Sequence, residues 1–265
     1  NHIFEGESVI ENPTENMLKM GLVSYDTQSA IEELFYLAKA GTEYHSTEFK
    51  LNTKNGGFQW YFSTFSTIYD EEGTPLRVVG LLRNIHAQKV EQQKLLIRAE
   101  TDQMTGLYNK ATTESKIQAS LRELNGNSYQ VLMLVDIDDF KKINDTMGHA
   151  FGDEVLKTLG RTISSLFRVT DIIGRTGGDE FTIFLKFLKS DENTLKEARK
   201  LVQFFKDFTA GEYVKYSATA SIGAAVFPEN GSDFDSLYKA ADKALYKAKQ
   251  RGKNQLAFYD DRDRK

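Results

Sequence analysis

The run VLMLV, Val131 to Val135, is followed at once by DIDD. A continuous apolar run of this kind reads as a buried strand, because a strand with one wet face would alternate. Asp136 comes where the run ends. A strand end is a natural place to present a carboxylate into a crevice. Asp138 and Asp139 follow, and either can cap the next helix. Asp136 is different. After five apolar residues it should be partly buried, and a buried carboxylate needs a partner, of which a divalent cation is one.

A second acid pair lies in RTGGDEFTIFL, Arg175 to Leu185. Gly177-Gly178 suits a two-residue hairpin turn in which both residues take positive φ. Taken alone, the motif fits a surface hairpin with solvated acids. If this hairpin neighbours the Asp136 strand, Asp136 and Asp179 can share Mg²⁺, a hard cation that takes oxygen ligands at nucleotide triphosphates. The glycines would let phosphates approach the backbone closely.

The rest of the chain supplies the frame. Its 265 residues suggest one large or two modest domains. Residues 1–45 carry helical spacing, clearest in AIEELFYLAKAG, with Gly41 as C-cap. EFKLNTKNGGFQWYFSTFSTIYDEEGTPLRVVGLLRNI reads as three strands, with turns at 55–57 and 71–75. The alternation of Phe58, Trp60, Phe62 and Phe65 suggests one buried face. HAQKVEQQKLLIRAET, residues 86–101, reads as a connecting helix, with Val90 and Ile97 seven apart as in a short coiled coil. Beyond it, helical segments are expected near 151–168, 191–209 and 234–251, and strands near 171–176, 180–187, 216–227 and 255–259. Such alternation argues for a sandwich with helices covering a central sheet.

The net charge of −4 gives no sign of a nucleic-acid polymer as partner, so an anionic ligand must be held by local charges. With no cysteine there is no disulfide or thiolate metal site, which suits a reducing cytoplasm. No apolar run reaches membrane-spanning length. The chain does not begin with Met and reads as a piece of a longer protein, in which membrane segments could lie outside it.

Gly177-Gly178-Asp179-Glu180-Phe181 resembles the name-giving motif of the GGDEF family of diguanylate cyclases. Four further blocks match in order: DQMTGLYNK at 102–110, DIDDFKKINDTMGHAFGD from Asp136, SIGAAVFPENG at 221–231 and YKAADKALYKAKQRGKNQ at 238–255. The resemblance spans about Asp102 to Asp260. It implies an α+β fold like the nucleotidyl cyclase and polymerase palm, a central antiparallel sheet flanked by helices. It also implies that Asp136, Asp179 and the Ile137 carbonyl hold Mg²⁺, with Mn²⁺ as an alternative. Asp179 would be the proton acceptor for the attacking 3′-hydroxyl, and Glu180 would support the metal site. Asn144 and Asp153 would read guanine, and Lys141, Lys249 and Lys253 would meet the triphosphate as point charges. Asp153 can accept from both N1–H and the 2-amino group of guanine, whereas adenine would leave it unpaired, so GTP is expected over ATP. Lys249 and Lys253 are four apart near the end of a helix and should share a face. The family often has Arg at the latter position, and Lys forgoes its bidentate geometry.

Arg168-Val169-Thr170-Asp171 is an RxxD separated from Gly177 by the five residues Ile172 to Thr176. This is the family's spacing for an inhibitory site that binds cyclic di-GMP, with Arg199 as a secondary member. The plain alternative is a local ion pair. Upstream, NGGFQWYFSTFSTIYDEEGTPLRVVGLLRNIHAQK resembles the C-terminal half of a PAS sensor domain. The family's closing DIT stands here as Asn84-Ile85-His86. The expected organisation is a smaller, truncated or divergent PAS-like α+β domain at 1–85, a signalling helix at 86–101 and the cyclase domain at 102–265. The implied partners are GTP, the product cyclic di-GMP, a second copy of the chain, and a PAS ligand that the sequence does not identify. The rival from another class is a non-catalytic module that only binds cyclic di-GMP or GTP. Such modules usually lose the metal acids or the glycine pair, and this chain keeps both.

Overall fold

The computed structural model describes residues 13–53, 57–123, 129–188, 200, 203 and 219–260. The helix expected at 191–209 and the start of the strand expected from 216 lie outside the described residues, apart from positions 200 and 203. The chain divides into two compact units, Asn1–Leu96 and Ile97–Lys265.

The first unit contains α1 (Pro13–Lys19), a 3-10 turn (Tyr25–Thr27), α2 (Gln28–Lys39) and three strands, β1 (Tyr44–Thr53), β2 (Gly57–Tyr69) and β3 (Pro75–Asn84). The strands form an antiparallel sheet in the order β1-β2-β3. Gly41 follows the C-cap Ala40 with φ of 73°, as its place in the sequence suggests. Met17, Val23, Ile31, Phe49 and Leu51 make a small core between α2 and the sheet. The β2–β3 turn is held by Asp70, whose Oδ1 accepts from Glu72 N at 3.0 Å and Thr74 N at 2.8 Å.

The buried face of β2 is not the one the aromatic alternation suggests. Ser63, Phe65 and Thr67 are buried, while Phe58 is exposed and Trp60 and Phe62 are only half-buried. Phe65 breaks the even-numbered pattern, and it alone of the four faces the core. Trp60 instead lies under two cations, with Lys50 Nζ 4.9 Å and Lys89 Nζ 5.5 Å from its ring. Every residue of β3 is exposed.

The helix α3 (His86–Glu100) buries none of its residues, and the boundary between the two units falls within it. Val90, Leu96 and Ile97 are exposed.

The second unit adds α4 (Lys110–Arg122), β4 (Tyr129–Ile137), α5 (Phe140–Met147), α6 (His149–Leu166), β5 (Ile172–Arg175), β6 (Glu180–Leu188), β7 (Ala220–Phe227), α7 (Phe234–Gln250) and β8 (Leu256–Phe258). Its sheet runs β5-β6-β4-β7-β8. The first three pairings are antiparallel, as expected, and β8 joins β7 in parallel at the edge. The apolar run is β4, the middle strand, buried from Gln130 to Ile137. Val131, Met133, Val135 and Ile137 pack with Val155, Leu156, Leu159 and Ile163 of α6. Leu132 and Leu134 pack on the other side with Ile117 of α4 and Leu237, Ala241 and Leu245 of α7.

The block SIGAAV has a steric purpose. A Cβ on Gly223 would collide with Ala241 O and Leu245 N of α7. Ala240, Ala241, Ala244 and Ala248 are buried along that helix, so β7 and α7 meet at close backbone range. The helix starts on a capping box: Asp233 Oδ1 accepts from Ser236 N at 2.8 Å, and Asp233 N donates to Ser236 Oγ at 3.2 Å.

Asp102 ties the start of this unit to the turn before β6. Its Oδ1 accepts from Thr105 N at 2.8 Å, Thr105 Oγ1 at 2.7 Å and Arg175 Nη1 at 3.2 Å. Burial pulls the carboxyl's pKa up, but the Thr105 hydrogen bonds and Arg175 outweigh it and leave it below the ordinary value.

Two outcomes follow. Gly223→Val should cost about 3 kcal/mol or more, read as a drop in the denaturant midpoint, because α7's backbone cannot yield. Asp102→Asn should cost about 1–2 kcal/mol at neutral pH. A group with a depressed folded-state pKa stabilises above its unfolded value and stops doing so as pH falls through the folded one. The gap between wild type and Asp102→Asn should therefore begin to narrow as pH falls below about 4. Denaturant melts across pH check this, and a gap that does not narrow as pH falls below about 4 would refute it.

Candidate functional site

The register of β4 sets the site. Asp136 pairs with Glu180 on β6 and with Ser221 on β7. One residue on, Ile137 N donates to Asp179 O at 3.2 Å. The two acid blocks, more than forty positions apart, thus meet at one end of the sheet.

Asp136 is 9% exposed, and its Oδ2 accepts from Lys249 Nζ of α7 at 2.8 Å. Its pKa is raised. Burial is the main cause, Lys249 opposes it, and the nearby charges of Asp179 and Asp138 push further up. Asp136, Asp138 and Asp179 thus crowd negative charge together, and Lys249 offsets it only in part. Among the described residues no three ligating side chains gather into a ready-made cage. The donors on offer are the carboxylates of Asp136 and Asp179 and the backbone carbonyl of Ile137. That set fits Mg²⁺, which is commonly bound through one or two carboxylates and completes its shell with water and phosphate.

The glycine pair works by space rather than by backbone handedness. Neither Gly177 nor Gly178 takes a left-handed φ, contrary to the hairpin expectation. A Cβ on Gly177 would come within 2.5 Å of Glu180 Oε2, so its absence lets the Glu180 side chain fold back over the turn. The turn closes through Thr176 N to Glu180 O at 3.0 Å, and Arg175 Nη2 donates to Gly178 O at 2.7 Å.

Neither of the next two acids caps α5 with its side chain, contrary to expectation. Asp139 sits at the N-cap position with φ of 55° and makes no capping hydrogen bond. It pairs instead with Lys253 Nζ at 2.8 Å. Asp138 is buried and accepts from Ser221 Oγ and Thr219 Oγ1, each at 2.7 Å, and from Asn254 N at 3.0 Å. Lys253 does not continue the helix that carries Lys249. The helix ends at Gln250, and Lys253 lies beyond it with φ of 62°. Lys141 is exposed on the first turn of α5.

Asn144 and Asp153 lie on α5 and α6, joined by a sharp turn in which Gly148 N donates to Asn144 O at 2.8 Å. The Asn144 amide lies against Gly152, the residue before Asp153, so the two guanine-reading candidates are brought together.

Arg168 and Asp171 make a turn ahead of β5, with Arg168 N donating to Asp171 Oδ2 at 2.9 Å and Asp171 N to Arg168 O at 3.0 Å. Asp171 Oδ1 accepts from Lys186 N at 3.1 Å. Among the described residues the Arg168 guanidinium forms no ion pair, so the plain alternative of a local salt bridge is not what is found. This turn is at the opposite end of β5 from the Gly-Gly turn, about 13 Å along a four-residue strand. Arg199 lies outside the described residues.

The sequence reading missed Asp138, Asp139, Asp102 and Arg175 as members of this constellation. The run of three acids in DIDD and the Arg preceding TGG were the available signals.

Known proteins resemble this chain in sequence and in fold. A profile of the PAS fold matches residues 18–82, and the profile "Diguanylate cyclase, GGDEF domain" matches residues 99–255. Diguanylate cyclase TpbB of Pseudomonas aeruginosa is 34% identical over 175 residues, covering 64% of this chain and 40% of that protein. Cyclic di-GMP phosphodiesterase PdeR of Escherichia coli is 32% identical over 176 residues, covering 66% of this chain and 26% of that protein. The chain thus spans well under two thirds of either relative. Among solved structures, a microbial GGDEF domain described in a novel interaction mode with cyclic di-GMP superposes with a TM-score of 0.53 at 33% identity, over 62% of this chain and 99% of that one. The GGDEF domain of TpbB superposes with a TM-score of 0.54 at 29% identity, over 60% and 94%. With its five sequence blocks in one compact unit and the profile covering more than half of its length, the chain belongs to the GGDEF domain family of diguanylate cyclases.

Proposed function

We propose that residues 102–265 condense two GTP into cyclic di-GMP. Each 3′-hydroxyl attacks the α-phosphate of the other nucleotide, forming a phosphodiester and releasing pyrophosphate. The observation that carries this reading is the register that sets Asp136 beside Glu180 while Ile137 N meets Asp179 O. It puts the acids of both blocks at one sheet end.

Mg²⁺, or Mn²⁺ in its place, would be held by Asp136, Asp179 and the Ile137 carbonyl and would supply charge neutralisation for the phosphates. Asp179 takes the proton of the 3′-hydroxyl, and Glu180, folded over the turn, supports the carboxylate array. Lys141, Lys249 and Lys253 hold the triphosphate. Asn144 and Asp153 read guanine, and adenine is refused because it would leave the Asp153 carboxylate unpaired.

One domain holds one GTP, so the active unit is a pair of chains with facing half-sites. The exposed Val90, Leu96 and Ile97 of α3 support contact with a second copy. In this reading residues 1–85 act as a PAS sensor, residues 86–101 transmit its state, and the sensor governs how readily the cyclase domains meet. Cyclic di-GMP binds at Arg168 and Asp171 and holds them apart; that the Arg168 guanidinium forms no ion pair among the described residues supports this, since guanine's O6 and N7 edge suits it. The work is done in the cytoplasm, where GTP is at hand. No helix among the described residues is long and apolar enough to cross a membrane.

Purified chain incubated with GTP and Mg²⁺ should yield cyclic di-GMP with a specific rate that rises with protein concentration. Chromatography of the nucleotides reads this, and no product at any concentration would overturn the reading. Asp179→Asn should lower turnover about 10²-fold or more while leaving product affinity intact. Arg168→Ala should do the reverse, keeping initial turnover and weakening product inhibition about tenfold or more, as an inhibition curve would show.

A further inference from the structure

We infer that Asp138 is a positioning residue that aims Lys253 at the triphosphate; the inference rests on the cyclase reading and deepens it. Asp138 is 4% exposed, so it is walled off from any ligand. Yet its carboxylate accepts three hydrogen bonds from two separate segments: Thr219 Oγ1 and Ser221 Oγ at the start of β7, and Asn254 N beyond α7. Its own N donates to Thr219 O at 2.8 Å. A buried carboxylate is costly unless its lone pairs are met, and here they are.

The segment it grips is unusual. Gly252, Lys253 and Asn254 are three successive left-handed residues, with φ of 107°, 62° and 48°. Two of them carry side chains, which rarely adopt this conformation, and such backbone persists only where its surroundings over-determine it. Lys253 N donates to Ala248 O at 3.1 Å, and Gln255 Nε2 donates to Ala248 O at 3.1 Å and Lys253 O at 3.2 Å. Those bonds tie the turn to its own helix. Asn254 N to Asp138 ties it to the strand end that carries Asp136 and Ile137. A right-handed continuation would have set Lys253 one helical turn beyond Lys249. The left-handed turn sends it instead to Asp139, with Nζ 2.8 Å from Oδ1. The direction of Lys253 is therefore set by a strained turn, and Asp138 holds that turn against the site.

The test combines amide exchange with kinetics of Asp138→Asn, Lys253→Ala and the double variant. Hydrogen exchange at the Asn254 amide should quicken in Asp138→Asn and stay as in wild type in Lys253→Ala. The KM for GTP should rise about tenfold in each single variant with kcat within about twofold, and the double variant should be no worse than the worse single. Unchanged exchange at Asn254 overturns the proposal. So do KM effects that multiply in the double variant, or a lowered melting temperature with KM intact. If Asp138→Asn does not fold, Thr219→Val removes one donor to the same carboxylate, and the same comparisons apply. A wild type that neither turns over nor binds GTP by calorimetry overturns the cyclase reading itself, and Asp138's role with it. A working wild type with an unaltered Asp138→Asn overturns Asp138's role alone.

Discussion

Strand β4 hydrogen-bonds along both edges and packs helices on both faces, and everything at the candidate site is measured from its end. A strand so placed cannot slip. A shift of one residue would turn Leu132 and Leu134 away from α7 and bring Asp136 round to the α6 side. The position of a single buried carboxylate is thus secured by the burial of an entire strand. Glu180 and Ser221 inherit their positions from the same ladder, and Asp138 carries the constraint outward to the turn after α7.

Charge is organised around that fixed point. Asp136 faces Lys249, Asp139 faces Lys253, and Asp102 faces Arg175. The first two pairs lie at the proposed reaction centre. The third lies behind it, where Arg175 also holds the Gly178 carbonyl and so fixes the turn from its far side. The half-buried pair is structural in character, because its geometry is completed by Thr105. The pairs at the sheet end are more open, with side-chain exposures of 39% for Lys249 and 41% for Lys253. The Asp139–Lys253 pair, exposed on both sides, holds weakly and is free to exchange partners, whereas the Asp136 carboxylate of the other pair is only 12% exposed.

Much of this was legible in the sequence. The apolar run announced the central strand, and the acids at its end announced where the candidate site would lie. The helices 149–166 and 234–250 appeared within two residues of where the pattern put them. What was not legible has physical causes. Helix α4 was missed because KATTESKIQASLR is polar nearly throughout and buries only Thr113, Ile117 and Ser120. The face of β2 was misread because aromatic residues occupy both sides of that strand, and Trp60 is covered by lysines rather than by core. The glycine pair was assigned to a left-handed turn because Gly-Gly usually signals one, whereas Gly177 is present to clear room for Glu180. The place of Lys253 off the helix could not be read from four-residue spacing, since that spacing presumes a helix that the chain leaves at Gln250.

The two ion pairs at the sheet end have a consequence for discrimination. In these two pairs each carboxylate already owns a cation and each lysine already owns an anion. A bare divalent ion must compete with an ammonium for its ligand, and a bare phosphate must compete with a carboxylate for its lysine. A ligand that delivers both charges together lets the partners trade places without leaving any of the four unmatched. On the proposed reading, the site would thereby favour the metal–nucleotide complex over either component alone, through contacts that exist before any ligand arrives.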